Sequence, residues 1–177
     1  MARMRKGIAY RKLERPNTRI SKYKKKSYVR ITPHIKIARF DMGEFRTDYE
    51  YSVDLITRAG VQIRQEALES ARQTSIRLLE KTLGKTGYNF KIRIYPFHIL
   101  RENPLAAGAG ADRMSTGMQR SFGKPIGIAA QVRKGQKIIT VRTNTPNLEV
   151  ARKALKRASK KISCGCMITV TKNKPAV

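Results

Sequence analysis

Cys164 and Cys166 in a Cys-Gly-Cys run, the histidines His34 and His98, and the hydroxyls Ser115, Thr116 and Ser121 beside Asp112 are the residue types here that could bind metal or carry nucleophilic catalysis. Their spacing supports neither. A structural zinc site needs about four placed ligands, and two isolated histidines with a Cys-x-Cys pair match no recognised pattern of that kind. The hydroxyls have an acid beside them but no histidine nearby in the chain. Gly84-Lys85-Thr86 ends like a phosphate-binding loop, yet the glycine required five positions earlier is Leu79. Gly117 to Lys124 is one residue too long for the same motif and runs into Pro125. The third glycine of a dinucleotide turn starting at Gly108 falls at Arg113. The sequence therefore predicts no catalytic residues, no metal, no cofactor and no small-molecule substrate, and the two cysteines read as small buried thiols.

What the chain has in abundance is positive charge. Its 177 residues carry 39 Lys and Arg against 12 Asp and Glu, a formal charge of +27. Residues 1–40 hold 14 cations and one acid, 41–104 hold 10 and 9, and 105–177 hold 15 and 2. A balanced middle between two segments of +13 describes a folded body with polyanion-binding surface at either end, because so much like charge repels itself without counter-charge. No apolar run approaches the roughly 20 residues that span a bilayer, and the opening MARMRKGIAYRK has no apolar signal region, so the expected partner is nucleic acid rather than membrane and the expected compartment is cytoplasmic. Each cation that neutralises a phosphate releases condensed counterion. Tyr10, Tyr23 and Tyr28, interleaved with the first run of cations, are suited either to stacking on unpaired bases or to packing against the body.

A second candidate binding element is the stretch NPLAAGAGADRMSTGMQRSFGKPIG from Asn103 to Gly127. It is rich in glycine and alanine and longer than the roughly 12–15 residues that unstructured loops reach in compact domains, which marks it as a functional loop, with a disordered insertion as the alternative. Gly110, Gly117 and Gly123 permit close backbone approach to a ligand. Arg113, Arg120 and Lys124 can grip phosphate, and Met114, Met118 and Phe122 can lie against bases; Asp112 is the only acid.

The elements that position these residues follow from periodicity. Residues 1–30 have too few aliphatics for a core and read as a basic arm. His34 to Phe40 alternates with period two and predicts a half-buried strand, with a second near Tyr49 to Val53. Helical spacing runs from about Thr57 to Leu83, with Val61, Leu68, Ala71, Leu79 and Leu83 inward, and Gly84 and Gly87 stop it. Asn89 to Leu100 predicts one strand with Phe90, Ile92 and Ile94 inward and Pro96 at its exit. Ile126 to Val132 and Lys137 to Arg142 predict a hairpin. A last helix begins at Thr145-Pro146 as cap and first turn and runs to about Lys161. Leu148, Ala151, Leu155, Ala158 and Ile162 form its apolar stripe, and Arg152, Lys153, Lys156, Arg157, Lys160 and Lys161 face away. Ser163 to Val170 predicts a final strand. The expected class is α+β, a two-layer α/β sandwich with a mixed sheet and two main helices on one face. The expected organisation is an arm at 1–30, one domain at 31–172 with the loop 103–125 inserted, and a tail at 173–177.

Four segments carry a resemblance beyond composition: GADRMSTGMQRSFGKPIG from Gly110 to Gly127, the opening MARMRKGIAYRKLERPNTRISKYKKKSYV, KIRIYPFHILRENP, and NLEVARKALKRASKKIS. Together they resemble the archaeal and eukaryotic large-subunit ribosomal protein family L-ten-e, the counterpart of bacterial L-sixteen, over nearly the whole chain. The loop departs from the shorter glycine- and lysine-rich bacterial form and looks archaeal. The resemblance implies a hammerhead-type sandwich on large-subunit ribosomal RNA near the base of the central protuberance, with neighbouring ribosomal proteins and the acceptor and elbow regions of tRNA as further partners. It implies that Arg3, Arg5, Lys6, Arg11 and Lys12 lie in RNA grooves, with Arg15, Arg19, Lys22, Lys24, Lys25 and Lys26 on the same arm. It implies that the loop, through Gly110, Asp112, Arg113, Met114, Gly117, Arg120, Phe122, Gly123 and Lys124, lies toward the peptidyl-transferase centre. The alternatives to a ribosomal constituent are a free RNA chaperone or assembly factor and an RNA-modifying enzyme; the missing nucleophile and cofactor motifs count against the last.

Overall fold

The structure, a computed structural model, describes residues 6–29, 31–45, 48–102 and 123–173. Among them are eight strands and two α-helices: β1 (Asp41–Gly43), β2 (Tyr51–Thr57), β3 (Val61–Arg64), α1 (Gln65–Leu83), β4 (Asn89–Ile92), β5 (His98–Glu102), β6 (Lys124–Val132), β7 (Lys137–Thr143), α2 (Leu148–Ser159) and β8 (Cys166–Lys172). The class is α+β, as expected. Every strand pairing is antiparallel, so the strands form two sheets, ordered β1-β4-β7-β2-β8 and β3-β6-β5, in place of a single mixed one.

The helices bury the stripes that their period dictates. Leu68, Ala71, Ile76 and Leu79 of α1 and Ala151, Ala154, Leu155 and Ala158 of α2 are buried. The small residues on α2 allow close approach, and the Ser75 hydroxyl reaches across to the Ala154 carbonyl at 3.3 Å. α2 packs on β2, β7 and β8, whereas α1 packs on α2, β3 and β6. One continuous core results, with Val53, Leu55, Phe90, Ile92, Ile139 and Val141 from the larger sheet and Val61, Ile63, Ala130 and Val132 from the smaller.

Five expectations are corrected by contacts between residues far apart in the chain. Residues 34–40 are not a strand: the Lys36 amide donates to Gln65 Oε1 at 2.9 Å and the Ala38 amide to Glu69 Oε2 at 3.3 Å, so α1 side chains supply the acceptors that a neighbouring strand would have supplied. Only Ile37 of that run is fully buried. Val61 belongs to β3, and the helix begins four residues later. The run 89–100 divides into β4 and β5, which enter different sheets on either side of Pro96. β6 and β7 are likewise split between sheets, so the tight turn 133–136 joins two layers and is not the loop of a paired hairpin. Thr145 starts a short 3₁₀ turn ahead of α2, but its hydroxyl and amide donate to Glu50 instead of capping the helix, which holds the Glu50 carboxyl below its usual range.

The arm is a strap across the smaller sheet. Gln62 of β3 donates from Nε2 to the carbonyls of Tyr10 and Lys12 (3.1 and 2.6 Å) and from its amide to that of Arg11 (3.1 Å). Gln131 of β6, the register partner of Gln62, donates to the Glu14 carbonyl at 2.8 Å. At β5, buried Asn17 donates its amide to His98 Nδ1 at 3.0 Å and its carbonyl accepts from Ile99 at 3.3 Å. Arm residues 11, 14 and 17 thus meet β3, β6 and β5 in sheet order. Beyond them the chain doubles back, with the Tyr28 and Val29 amides both donating to the Arg19 carbonyl, and Val29 joins Ile99 and Ile128 in a second small core.

Candidate nucleic-acid interface

At the tip of that doubled-back loop Lys24, Lys25 and Lys26 form one 3₁₀ turn, all exposed. The Ser27 hydroxyl closes the loop by accepting from the Ser21 amide and donating to the Ser21 carbonyl, each at 2.9 Å. Tyr23, 57 % exposed, is flanked by the Lys22 and Lys26 ammoniums at 5.3 and 5.1 Å from its ring centroid. The other two tyrosines are half-buried, Tyr28 under the Arg19 guanidinium and Tyr10 under that of Arg64. Packing claims Tyr10 and Tyr28, then, and Tyr23 alone of the three is exposed, with two ammoniums over its ring. Lys6, Arg11, Lys12, Arg15, Arg19 and Lys22 are exposed along the strap.

α2 supplies the other basic surface. Arg152, Lys153, Lys156, Arg157, Lys160 and Lys161 are all exposed, and among the described residues Arg152 alone of the six has a carboxylate partner, Glu149 at 3.2 Å. The last turn of the helix favours cations through its dipole, which accounts for Lys156 and Arg157 but not for the whole face. Arg157, Lys160 and Lys161 join Arg77 and Thr74 of α1 around a shallow groove of about 270 Å³ with four cations and no acid on its walls. Sequence reasoning missed Arg77, because it lies on a helix whose charges otherwise mix; its place two turns before the end of α1, opposite the basic end of α2, appears only when the helices are packed.

Of the loop residues singled out, Gly110, Asp112, Arg113, Met114, Gly117, Arg120 and Phe122 lie outside the described residues, as do Arg3 and Arg5 of the arm. The two loop residues that are described anchor its return. Gly123 has φ +96°, and a Cβ there would stand 3.0 Å from the Glu102 carbonyl carbon, so both conformation and space require glycine. Lys124, exposed, opens β6 directly opposite Glu102, the last residue of β5. Glu102 and Gly123, which border residues 103–122, are therefore held close together at one end of the smaller sheet, on strands whose middles are buried.

The remaining candidates are structural. His98 is buried with Nδ1 accepting from Asn17, and burial holds its pKa below the ordinary value. Cys164 and Cys166 are half-buried with sulfurs 3.9 Å apart; the hydrogen bond between them, with nearby Arg11, pulls Cys164 down to about 7, and the same hydrogen bond together with burial pushes Cys166 up. Among the described residues no three His, Cys, Asp or Glu side chains gather into a metal site, and no helix is long and apolar enough to cross a membrane. Asp54, 1 % exposed, meets Lys137 at 2.5 Å and accepts from Thr140 at 2.6 Å, holding the outward face of the larger sheet together.

Comparison with known proteins identifies the family. Residues 16–169 match the family model described as Ribosomal protein L16p/L10e. The large ribosomal subunit protein uL16 of Methanococcus maripaludis strain S2 is 43% identical over 174 residues, 98% of each chain, and that of strain C5 is 43% identical over the same lengths. At that identity and coverage the chain belongs to the ribosomal protein L16p/L10e family.

Proposed function

We propose that this chain, a structural and non-enzymatic constituent of the large ribosomal subunit by its family, binds ribosomal RNA near the base of the central protuberance and helps to position tRNA near the peptidyl-transferase centre. The observation that carries the RNA reading is the outer face of α2 and of the turn that follows it: six exposed cations, one of them balanced by a carboxylate, beside a helix whose inner face is locked into the core. An idle helix face mixes signs; this one is charged for phosphate. The arm tip at Lys24–Lys26 adds a second contact on the far side of the strap. The tRNA reading rests on the family resemblance of 110–127 and is supported by the side-by-side anchoring of its ends at Glu102 and Lys124, which suits a projecting loop.

Large subunits washed in high salt should retain the protein at about one copy per subunit by quantitative mass spectrometry. Sub-stoichiometric recovery would make it a transient RNA-binding factor instead. Replacing Arg113 and Arg120 with alanine should slow tRNA accommodation while leaving subunit yield intact; lost assembly with normal accommodation would remove the loop from the tRNA reading.

A further inference from the structure

The segment joining the two sheets continues the alternation of β4 past its end. Ile94, Pro96 and His98 are buried, and Arg93, Tyr95 and Phe97 are exposed on the opposite side. Phe40, brought alongside where its carbonyl accepts from the Ile92 amide at 2.8 Å, stacks on Tyr95 with ring centroids 4.5 Å apart and planes at 27°. Tyr95 stacks on Phe97 at 5.9 Å and 26°. Three aromatic rings thus form a ladder on the outside of the protein, with Phe97, 70 % exposed, as its outer end and Tyr95 46 % exposed in the middle. Contiguous exposed aromatics of this kind mark an interaction surface.

We infer that the open face of Phe97 is a stacking platform for one unpaired RNA base, with Phe40 and Tyr95 as positioning residues behind it; the inference rests on the RNA-binding reading above. Three observations select a nucleobase. The rungs are near-parallel, the arrangement that a further flat ring extends. The backbone beneath is fixed by the buried alternates and by the Arg93 amide donating to the Ile138 carbonyl at 2.8 Å, so little is lost in ordering the platform. Of the charges flanking the ladder along the chain, Arg39 and Arg93 are exposed cations suited to the phosphates either side of a stacked base, whereas the carboxylate of Asp41 is paired with Lys91 at 3.3 Å, and Arg93 is steadied by Nε donating to Thr140 at 3.1 Å. Stacking on an aromatic platform tolerates any base, so the site takes an unpaired nucleotide without regard to identity.

The test uses the full chain and two ribose-phosphate strands of equal length that are abasic throughout, except that one carries a single 2-aminopurine. The wild-type protein should quench 2-aminopurine fluorescence and bind that strand more tightly than the abasic one. Phe97→Ala should abolish the quench and weaken binding of the base-containing strand about tenfold, leaving the abasic strand unchanged. Phe97→Trp should keep both properties, which separates stacking from damage to the fold. Equal binding of both strands without quenching would overturn the platform and leave the charge-driven reading standing; binding of neither strand at low salt would overturn both. In intact large subunits, a benzophenone side chain at position 97 should crosslink to ribosomal RNA, and a crosslink to protein alone would assign the ladder to a neighbouring chain.

Discussion

α1 and α2 share one core and pack against each other, yet their outer faces are opposites. On α1 the carboxylates are used inside the protein: Glu69 meets Arg72 at 2.5 Å and accepts the Ala38 amide, and Glu66 meets Lys36 at 3.3 Å, so the helix grips the extended run 34–40. On α2 nothing is gripped, and the cations stand outward with a single acid beside them. The same amphipathic element holds its own chain on one side of the molecule and leaves a counter-charge to be supplied from outside on the other. Surface charge is thus read by asking which partners are already present.

The comparison breaks most visibly if α2 is reversed. Changing Lys153, Lys156, Lys160 and Lys161 to glutamate should cut affinity for ribosomal RNA by orders of magnitude at about 0.1 M salt and make the plot of log affinity against log salt shallower by about 3. Lys81→Glu on α1 should barely move either quantity. Filter binding across a salt series distinguishes them, and equal effects would erase the contrast. The reciprocal change, Gln65→Ala with Glu69→Ala, should leave RNA affinity alone and lower unfolding free energy by about 2 kcal/mol, because the 36–38 amides lose their acceptors and Arg72 its partner. Chemical denaturation measures it, and an altered affinity would show that the face of α1 that holds residues 34–40 also meets RNA.

The smallest effect sharpens the comparison at the arm, which holds protein on one side and presents lysines on the other. His98 keeps a lowered pKa, so its unprotonated form contributes stability that is full above its ordinary value of 6.5 and is lost as pH falls from there toward the folded value. The denaturation midpoint should drop between pH 7.5 and 5.5, and His98→Phe should remove that part of the drop. A drop that persists in the variant would place the titrating group elsewhere.

Periodicity made the inward faces legible: Leu68, Ala71, Leu79, Ala151, Leu155 and Ala158 are where a 3.6-residue repeat puts them, and so are the six cations of α2. It also gave the alternation of Phe90, Ile92 and Ile94. What it could not give is the partner. A period-two run records which side of the chain is dry, and residues 34–40 meet that requirement against a helix instead of a strand. The split of β4 from β5 and of β6 from β7 depends on which edges close around α1, a matter of contacts between residues far apart in the chain. Asn17 and His98, 81 positions apart, have no local signal at all. Tyr95 and Phe97 had one: carrying the alternation two steps past Ile94 places both beside Arg93 on the outer face.

The strap has a consequence for the protein before it reaches any ribosome. A three-stranded sheet has two outer strands, β3 and β5, each presenting backbone groups to whatever chain comes near, and such strands are where folded proteins join end to end into aggregates. Here the Gln62 and Ile99 amides are already satisfied by the Arg11 and Asn17 carbonyls of the same chain. A newly made copy, too basic to be left among nucleic acids and not yet seated, therefore carries its own covering for both borders of the sheet, and the segment that guards solubility is continuous with the one that carries the lysine tip.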